Sequence, residues 1–419
     1  MSQWLTQVIA QAQQVSDYLA PVRQQALLQL QQAGWPGRRN ESWRFTPLTA
    51  LDKREANNSV VTGEEAAPVI DDLNSLDIVF ANGQLVTDIS SINLPEGITI
   101  SDLSTPSENA QQNVISLFGS VKPARHVFGL VNDVVAQQGI VIDVAADAVI
   151  EPVIRIVNKV TADVDSHIRV LVRVGENARA RVLEHGEGAV SSMTTAFAEY
   201  DIGKNAHLEH YRFAFYTEKA KQVGGSHFKL GESSSLNSAV VGYGSELSRL
   251  DIDIWHAGEH ASAKMNAIYL LAEGELFDLH TNIEHAVPNG TTEENARGII
   301  GDGARAIFNG RIHIHRDAQK TLAELNNRNL LLSRRALIHT KPELEIYADD
   351  VKCAHGATVA EIAENELYYL VTRGISRSKA LVMLNFGFIQ ELVNQIPDQA
   401  ISQWLLPKLS ERFSHMEVK

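Results

Sequence analysis

The only cysteine of the chain lies two residues before a histidine, in Cys353-Ala-His355. If this segment is a strand, residues i and i+2 share a face, so a thiolate and an imidazole can converge on one centre. Both ligand types suit iron, zinc or copper(I), and an iron–sulfur cluster can mix them. The same couple could be a nucleophile and its base, or simply a small buried residue beside a histidine. Two ligands do not complete a metal site, so metal binding here would imply further ligands from another chain.

Three histidine pairs are weaker candidates for metal ligands. One pair alternates along a predicted strand, which would place two imidazoles on one face about 6.6–7 Å apart. The other two pairs are more loosely spaced, and none of the three has a cysteine nearby. We therefore expect ordinary surface or hydrogen-bonded histidines. The pairs are His313 and His315, His256 and His260, and His280 and His285.

The adjacent carboxylates Asp349 and Asp350 are the remaining candidates for catalysis. Adjacent strand residues point to opposite faces, so these two cannot easily flank one glycosidic bond, and a solvated pair is favoured. The sequence has no G-x-x-x-x-G-K-[ST] loop, no G-x-S-x-G elbow, no H-E-x-x-H and no G-x-G-x-x-G between a strand and a helix. It therefore offers no basis for nucleotide hydrolysis by this chain.

The charge and cysteine content narrow the class of protein. The formal net charge is −14, and the basic residues form no run longer than a pair, which argues against a nucleic-acid partner. A single cysteine excludes an internal disulfide framework and suits a reducing compartment. No secretory signal is visible, and the densest apolar stretch, residues 381–389, is far shorter than the roughly 20 residues that span a bilayer. We expect a cytoplasmic protein without a membrane span.

These candidate residues must be positioned by three regions. Residues 1–138 are predicted to be mainly helical, with helices over 2–18, from Pro21 to the stop at Gly34, and over 126–137. Residues 139–359 are predicted to be all-β, because they contain short runs rich in β-branched residues in which apolar and polar residues alternate. Residues 360–419 return to helix.

The β block contains an internal repeat. Four Gly-polar-polar-small tetrads begin 28, 28 and 27 residues apart, and each is followed by an alternating strand. We expect each tetrad to form a tight turn in which glycine supplies a positive φ. A propeller blade needs roughly 40–45 residues, so this period favours one coil of a β-solenoid. The tetrads begin at Gly175, Gly203, Gly231 and Gly258.

Three helices are predicted in the C-terminal region, over 364–373, 376–395 and 399–413, with Pro407 inside the last. The middle helix carries two apolar stripes, and a helix that is apolar nearly all round must be covered on both sides. Its own domain can cover one side; a partner protein is an open alternative for the other. The first stripe is Leu381, Leu384, Phe388 and Leu392, and the second is Val382, Phe386, Ile389 and Val393.

Four segments resemble the hallmark sequences of the SufB/SufD family of iron–sulfur assembly proteins. The longest contains the cysteine and histidine described above, and the likeness extends from about residue 34 to 390. The length and the lone cysteine favour the shorter of the two branches of the family. The segments are residues 34–47 (GWPGRRNESWRFTP), 304–310 (ARAIFNG), 326–333 (NNRNLLLS) and 339–359 (HTKPELEIYADDVKCAHGATV).

This resemblance implies a mainly β fold, with a right-handed parallel β-helix core between helical ends. It also implies a scaffold subunit, not itself an enzyme, which works in a complex with SufB and the ATPase SufC. Cys353 and His355 match the cysteine and histidine of the Lys-Cys-Ser-His-Gly motif of the family, with Ala354 in place of serine. They would be ligands of a transient iron–sulfur cluster or iron shared with SufB. The helix over 376–395 would dock SufC through its first apolar stripe, formed by Leu381, Leu384, Phe388 and Leu392.

The resemblance leaves several points as hypotheses. ATP hydrolysis in SufC would rearrange the interface with SufB and expose Cys353 and His355, and the thiol pKa would be lowered near His355 or iron. One alternative is a purely structural subunit that binds no iron. Another is a β-solenoid carbohydrate-active enzyme, against which the 6% aromatic content counts. An exposed sheet edge also makes a homodimer plausible when the natural partner is missing.

Overall fold

The structure is a computed structural model that describes residues 2–63, 65–361, 364–414 and 416. Within them, helices lie at both ends of the chain and strands fill the middle. The helices are α1 (Gln3–Ala12), α2 (Ala20–Ala33), α3 (Thr49–Asp52), α4 (Glu108–Leu117), α5 (Val127–Val135), α6 (Glu364–Val371), α7 (Arg377–Val393) and α8 (Gln399–Ser414).

The strands follow one another with short turns and are mostly ten residues long. They are β1 (Ser75–Ala81), β2 (Gln84–Leu85), β3 (Ile98–Asp102), β4 (Gln138–Val144), β5 (Val153–Val160), β6 (Asp165–Val174), β7 (Arg179–Gly188), β8 (Met193–Ile202), β9 (His207–Tyr216), β10 (Lys221–Leu230), β11 (Ser235–Tyr243), β12 (Leu247–His256), β13 (Ser262–Leu271), β14 (Leu276–His285), β15 (Thr291–Ile300), β16 (Arg305–Ile314), β17 (Leu322–Leu331), β18 (Leu337–Ile346) and β19 (Lys352–Glu361).

Successive strands alternate between two sheets, so each coil contributes one strand to each sheet. Sheet A runs β19-β17-β15-β13-β11-β9-β7-β5-β1-β2, and sheet B runs β18-β16-β14-β12-β10-β8-β6-β4-β3. From β4 onward every pairing within a sheet is parallel and unbroken in register, and the coils stack into a solenoid of about 8 turns. The predicted parallel β-helix between helical ends is confirmed, and its 28-residue period is one coil of two strands and two turns.

The core lies between the two sheets, where alternate side chains of each strand meet. Leu250, Ile252 and Ile254 of β12 point inward and are buried with their counterparts on neighbouring coils. The outer faces are also covered. Phe213 on sheet A stacks on Trp404 of α8 with ring centroids 5.8 Å apart, and the N-terminal helices pack on sheet B. Central strands are therefore buried on both faces, as parallel sheets usually are.

The glycines of the repeat have a role different from the predicted one. The residue with positive φ is the third of each tetrad, such as Asn177 at 59° and Asn205 at 54°. Asparagine tolerates this conformation because its short side chain bonds locally. The glycine is needed for coil stacking, because a Cβ at Gly203 would lie 2.9 Å from the carbonyl oxygen of Val174 on the preceding coil. The tight turns were predicted correctly, but the expectation that glycine supplies the positive φ is wrong.

The N-terminal region differs from the predicted helical region 1–138 in two ways. It contains β1, β2 and β3, so the solenoid begins at Ser75 rather than at residue 139. Helix α1 ends at Ala12, not near residue 18, because Asp17 belongs to the turn that leads into α2. Its Oδ1 accepts a hydrogen bond from the backbone N–H of Leu19 at 3.0 Å, and its carboxylate pairs with Arg23 at 2.8 Å. A helix through residue 18 would not leave Asp17 free for this role.

The two ends of the solenoid are not equivalent. The first coils are closed by the antiparallel strands β2 and β3. At the other end, within the described residues, β18 pairs only with β16 and β19 pairs only with β17. We call this pair of strands, β18 and β19, the open end. An uncovered solenoid end exposes backbone hydrogen-bonding groups and the edge of the core.

Candidate functional site

Cys353 and His355 both lie on β19, the outermost strand of sheet A at the open end. The register pairs Cys353 with Ala323 and His355 with Leu325, and both partners are fully buried core residues. Cys353 packs against the edge of the same core and is half-buried, whereas His355 is exposed. The two side chains therefore share the inward face of the last coil, where a further coil would have covered them.

Burial raises the pKa of the Cys353 thiol above its ordinary value. The surroundings are apolar, and an apolar environment disfavours the thiolate. In the chain by itself the pKa of the thiol is thus shifted upward, and the hypothesis of a lowered pKa near iron in the assembled complex stays a prediction. Within the described residues, one cluster of three potential metal ligands is present. It lies elsewhere in the structure and does not include Cys353. Among the described residues, no third metal-ligating side chain joins Cys353 and His355 in such a group.

The open end also carries exposed apolar side chains. They include Val359 on β19, 48% exposed, and Tyr347 in the turn between the last two strands, 61% exposed. Leu337 and Ile346 of β18 are also exposed. A row of large apolar side chains beside unpaired strand edges is typical of a surface that another protein covers.

The other predicted histidine pairs are explained by local contacts. His256 and His285 stack in the core with ring centroids 4.0 Å apart, and both share the hydroxyl of Thr292. His260 lies in a turn with a φ of 60°, and His280 pairs with Asp278 at 2.9 Å. The adjacent rings of His313 and His315, 4.4 Å apart, lie on the outer face of sheet B. The carboxylates Asp349 and Asp350 are exposed in the turn before β19.

The apolar stripes of α7 are mostly used within the chain. Leu392 is 1% exposed in the core between the C-terminal helices and sheet A, and Leu384 and Phe388 are half-buried against the same core. The side chain of Leu381 lies outside the described part of the structure. Four further apolar side chains of the C-terminal helices are exposed and belong to neither stripe; together we call them the helical patch. It consists of Tyr368, Tyr369 and Val371 of α6 and Met383 of α7.

The N-terminal segment that carries the family-like motif packs against a buried charge network on sheet B. The guanidinium of Arg249 lies 4.0 Å from the ring centroid of Trp43 and donates to Asp251 and Asp278 at 2.8 and 2.9 Å. The hydroxyl of Thr46 donates to Asp278 at 2.5 Å. Trp43, Arg249 and Asp251 also line a cavity of about 410 Å³ between the N-terminal segment and sheet B. The conspicuous tryptophan and threonine of the motif therefore anchor this segment.

The fold and the motif-bearing last strand agree with comparisons to known proteins. The SufBD core domain of the SUF iron–sulfur cluster assembly system matches residues 156–388, and the N-terminal region of SufBD proteins matches residues 5–156. The chain belongs to the SufBD family of iron–sulfur cluster assembly proteins.

Individual relatives support this assignment over nearly the whole chain. Iron-sulfur cluster assembly protein SufD of Escherichia coli (strain K12) is 29% identical over 418 residues, 94% of this chain and 93% of that protein. A SufBD family protein of Synechocystis is 28% identical over 86% of this chain and 84% of its own length. The chloroplastic protein ABCI7 of Arabidopsis thaliana is 26% identical over 88% and 80%. The predicted family resemblance is confirmed.

One further observation concerns membranes. Among the residues that the structure describes, no helix combines the length and the apolar character needed to cross a bilayer.

Proposed function

We propose that this chain is a scaffold subunit, not itself an enzyme, of a cytoplasmic complex with SufB and the ATPase SufC. Its role would be to provide ligands for iron or a nascent iron–sulfur cluster at the interface with SufB. The observation that carries this proposal is the position of Cys353 and His355 on the inward face of an edge strand, which no further coil of the described residues covers.

The open end suits a second β-solenoid as its partner. An edge strand with free backbone groups can continue its sheet into another chain, and both β18 and β19 offer such an edge. A partner docked there would bury the exposed apolar side chains of Val359 and Tyr347. It would also bring its own ligands to the thiol and imidazole, which cannot complete a site alone. The same edges would support a homodimer when SufB is absent.

Binding of a metal to Cys353 would favour the thiolate, whereas burial favours the protonated thiol. A metal binds the thiolate, so iron arriving at the interface displaces the thiol proton that the apolar surroundings retain in the free chain. Thiolate is the soft ligand of the pair, and the exposed His355 supplies a neutral nitrogen. The free chain would thus hold its thiol protonated until SufB and metal are present.

The C-terminal helices would dock SufC. They form one unit with sheet A, because α7 and α8 share a core with strands β9, β11 and β13. A displacement of these helices on ATP binding or hydrolysis would therefore act on the solenoid itself rather than on a loose tail. Among the described residues there, the helical patch offers exposed apolar side chains to a partner.

The experiment is co-expression of this chain with SufB and SufC from the same organism, followed by co-purification and assays of iron, acid-labile sulfide and visible absorption. The Cys353→Ser/His355→Ala double variant should form the complex but lose most of its iron and sulfide. The matched control is His315→Ala, which removes a partly exposed histidine directly after β16, the strand that pairs with β18.

The same experiment separates the alternatives. If the double variant forms the complex and its iron and sulfide content is undiminished, the chain is a positioning subunit that provides no iron ligands. Failure of the wild-type chain to co-purify with SufB and SufC would contradict the complex itself.

A further inference from the structure

A second cluster of metal-ligating side chains lies far along the solenoid from the open end. His227 on β10 and Asp253 on β12 are register partners on the outer face of sheet B. His126, directly before α5, reaches the same carboxylate. Asp253 Oδ2 lies 2.7 Å from His126 Nε2 and 2.7 Å from His227 Nδ1, and the potential ligand atoms all lie within 4.8 Å of one another.

The three donors form a set that suits a divalent transition metal. Two imidazoles and one carboxylate on one side of an ion leave further positions open, as in mononuclear ferrous sites. In an octahedral site with donors about 2.1 Å from the ion, adjacent donors lie roughly 3.0 Å apart. The two histidine nitrogens now lie 2.7 Å from Asp253 Oδ2, so they need to move away from it only slightly to admit an ion. An ion would take the place of the two N–H groups that now converge on one oxygen.

The surroundings hold this arrangement in place. The His227 ring stacks on Phe197 with an interplanar angle of 5°, and among the described residues its Nε2 is buried without a hydrogen-bond partner. His126 Nδ1 faces Asp251 Oδ1 at 3.7 Å. With an ion on Nε2, the proton of His126 would lie on Nδ1, and Asp251 would orient the ligand as carboxylates commonly do beside metal-bound histidines.

The cluster is accessible through the cavity of about 410 Å³ described above. His126 and Asp253 line one part of this cavity, and Glu343 and Glu345 of β18 line another, so the cavity extends to the last strand of sheet B. Water or a small ligand in it can fill the open coordination positions. One group competes with an ion: Arg125, whose side chain is 48% exposed, pairs with Asp253 Oδ1.

We propose that His126, His227 and Asp253 bind one ferrous ion, with open positions facing the cavity. The site is separate from Cys353 and His355 and uses only residues of this chain. The choice of iron among divalent transition metals rests on the proposed function, whereas the metal site itself does not.

The test is anaerobic titration of the full chain with Fe²⁺ in competition with a chromophoric chelator, and with Co²⁺ followed by its absorption. All variants carry Cys353→Ser and His355→Ala, so that metal at the open end cannot contribute. We expect one ion per chain and cobalt bands without a sulfur-to-metal charge-transfer band. Asp253→Asn should weaken binding by more than about 100-fold, because loss of even an outer hydrogen-bond partner costs roughly 10–100-fold.

Two further variants keep the test decisive if Asp253→Asn disturbs the fold. Arg125→Ala removes only the competing guanidinium and should tighten metal binding by about two- to fivefold, the effect of an exposed ion pair. His280→Gln, a cavity residue bound to Asp278 rather than to the cluster, should leave the affinity unchanged.

Absence of a bound ion in the Cys353→Ser/His355→Ala parent, or equal affinity in Asp253→Asn and Arg125→Ala, would overturn the proposal. Binding of Co²⁺ but not of Fe²⁺ would retain the site and overturn the assignment to iron. Neither result depends on whether the complex with SufB and SufC forms, so the two proposals fail separately.

Discussion

Cys353 and Ala323 are register partners on neighbouring strands, yet Ala323 is fully buried and Cys353 is not. Ala323 has β15 on its other side, whereas Cys353 has no strand beyond it among the described residues. The difference between a core position and a candidate ligand is therefore a single missing coil. A partner that supplies this coil would make the cysteine part of a continuous core and an enclosed site.

The first prediction concerns the reactivity of the thiol. Because burial raises the pKa of Cys353, its alkylation in the free chain should have a midpoint above the ordinary thiol value. The thiolate is the reacting form, so the rate should be low at neutral pH and should rise through this alkaline midpoint. The measurement is the alkylation rate against pH, at a concentration where sedimentation shows a monomer.

The unfolded chain is the matched control, since it contains the same single cysteine in water. Its midpoint should be the ordinary one. A midpoint for the folded chain at or below that of the unfolded chain would contradict the effect of burial.

The second prediction tests the role of the repeat glycines. Gly203→Ala should lower the free energy of unfolding by about 1–3 kcal/mol, because its Cβ would lie 2.9 Å from Val174 O and 3.0 Å from Glu176 N, both backbone atoms. Chemical denaturation would measure the change. Gly387→Ala in α7 is the control: a Cβ there has no neighbour within 4 Å, so stability should be unchanged or slightly higher. Equal effects of the two changes would contradict the stacking argument.

The third prediction is a pH dependence that originates at Glu294. This carboxyl is buried on β15, accepts a hydrogen bond from Thr281 at 2.7 Å, and has its pKa raised to about 7 by burial. In the unfolded chain it ionises at an ordinary, lower pH. Between those two values the folded state holds the proton more tightly, so this group lowers stability as pH rises from about 4.5 to about 7.

Glu294→Gln removes this titration and keeps the size of the side chain. Its stability relative to wild type should increase from pH 5 to pH 8, by at most about 3 kcal/mol. Denaturation curves of both proteins across this pH range would measure the difference in stability. Histidine titrations affect both proteins equally, so they do not contribute to this difference. A difference that is constant with pH would mean that Glu294 is not the group responsible.

The fourth prediction separates the two surfaces of α7. Leu392→Ala should destabilise the chain by about 2–5 kcal/mol, because Leu392 is buried in the core between the helices and sheet A. Met383→Ala should leave stability nearly unchanged, because Met383 is 56% exposed, but should weaken binding of SufC. Thermal denaturation and a pull-down with SufC would measure the two effects. Unchanged SufC binding by Met383→Ala would remove Met383 from the proposed docking surface.

The sequence predicted the solenoid well because its coils repeat. Two ten-residue strands and two short turns produce the 28-residue period, and each tetrad marks one turn of a coil. The period does not indicate how closely neighbouring coils approach each other. It therefore could not distinguish a glycine that is needed for close stacking from a glycine that is needed for a positive φ. The apolar stripes of α7 predicted burial correctly, because Leu392 of one stripe and Ile389 of the other are both buried in the core beside sheet A.

The two candidate sites differ in how far the sequence could predict them. Cys353 and His355 are two residues apart, so the strand period alone puts them on one face. His227 and Asp253 are 26 residues apart in the chain, close to one coil, and the repeat could have placed them side by side. His126 joins them from a loop outside the repeat, and no periodicity predicts its position.

The most direct test of the account is whether SufB covers Cys353. Alkylation of this single cysteine should be at least about tenfold slower in the complex with SufB and SufC than in the free monomer at the same pH. A Cys353→Ser/Ser90→Cys variant, with its thiol at an exposed position near the opposite end of the solenoid, should react equally fast in both states. An intact complex in which Cys353 reacts as fast as in the free monomer would contradict the central claim.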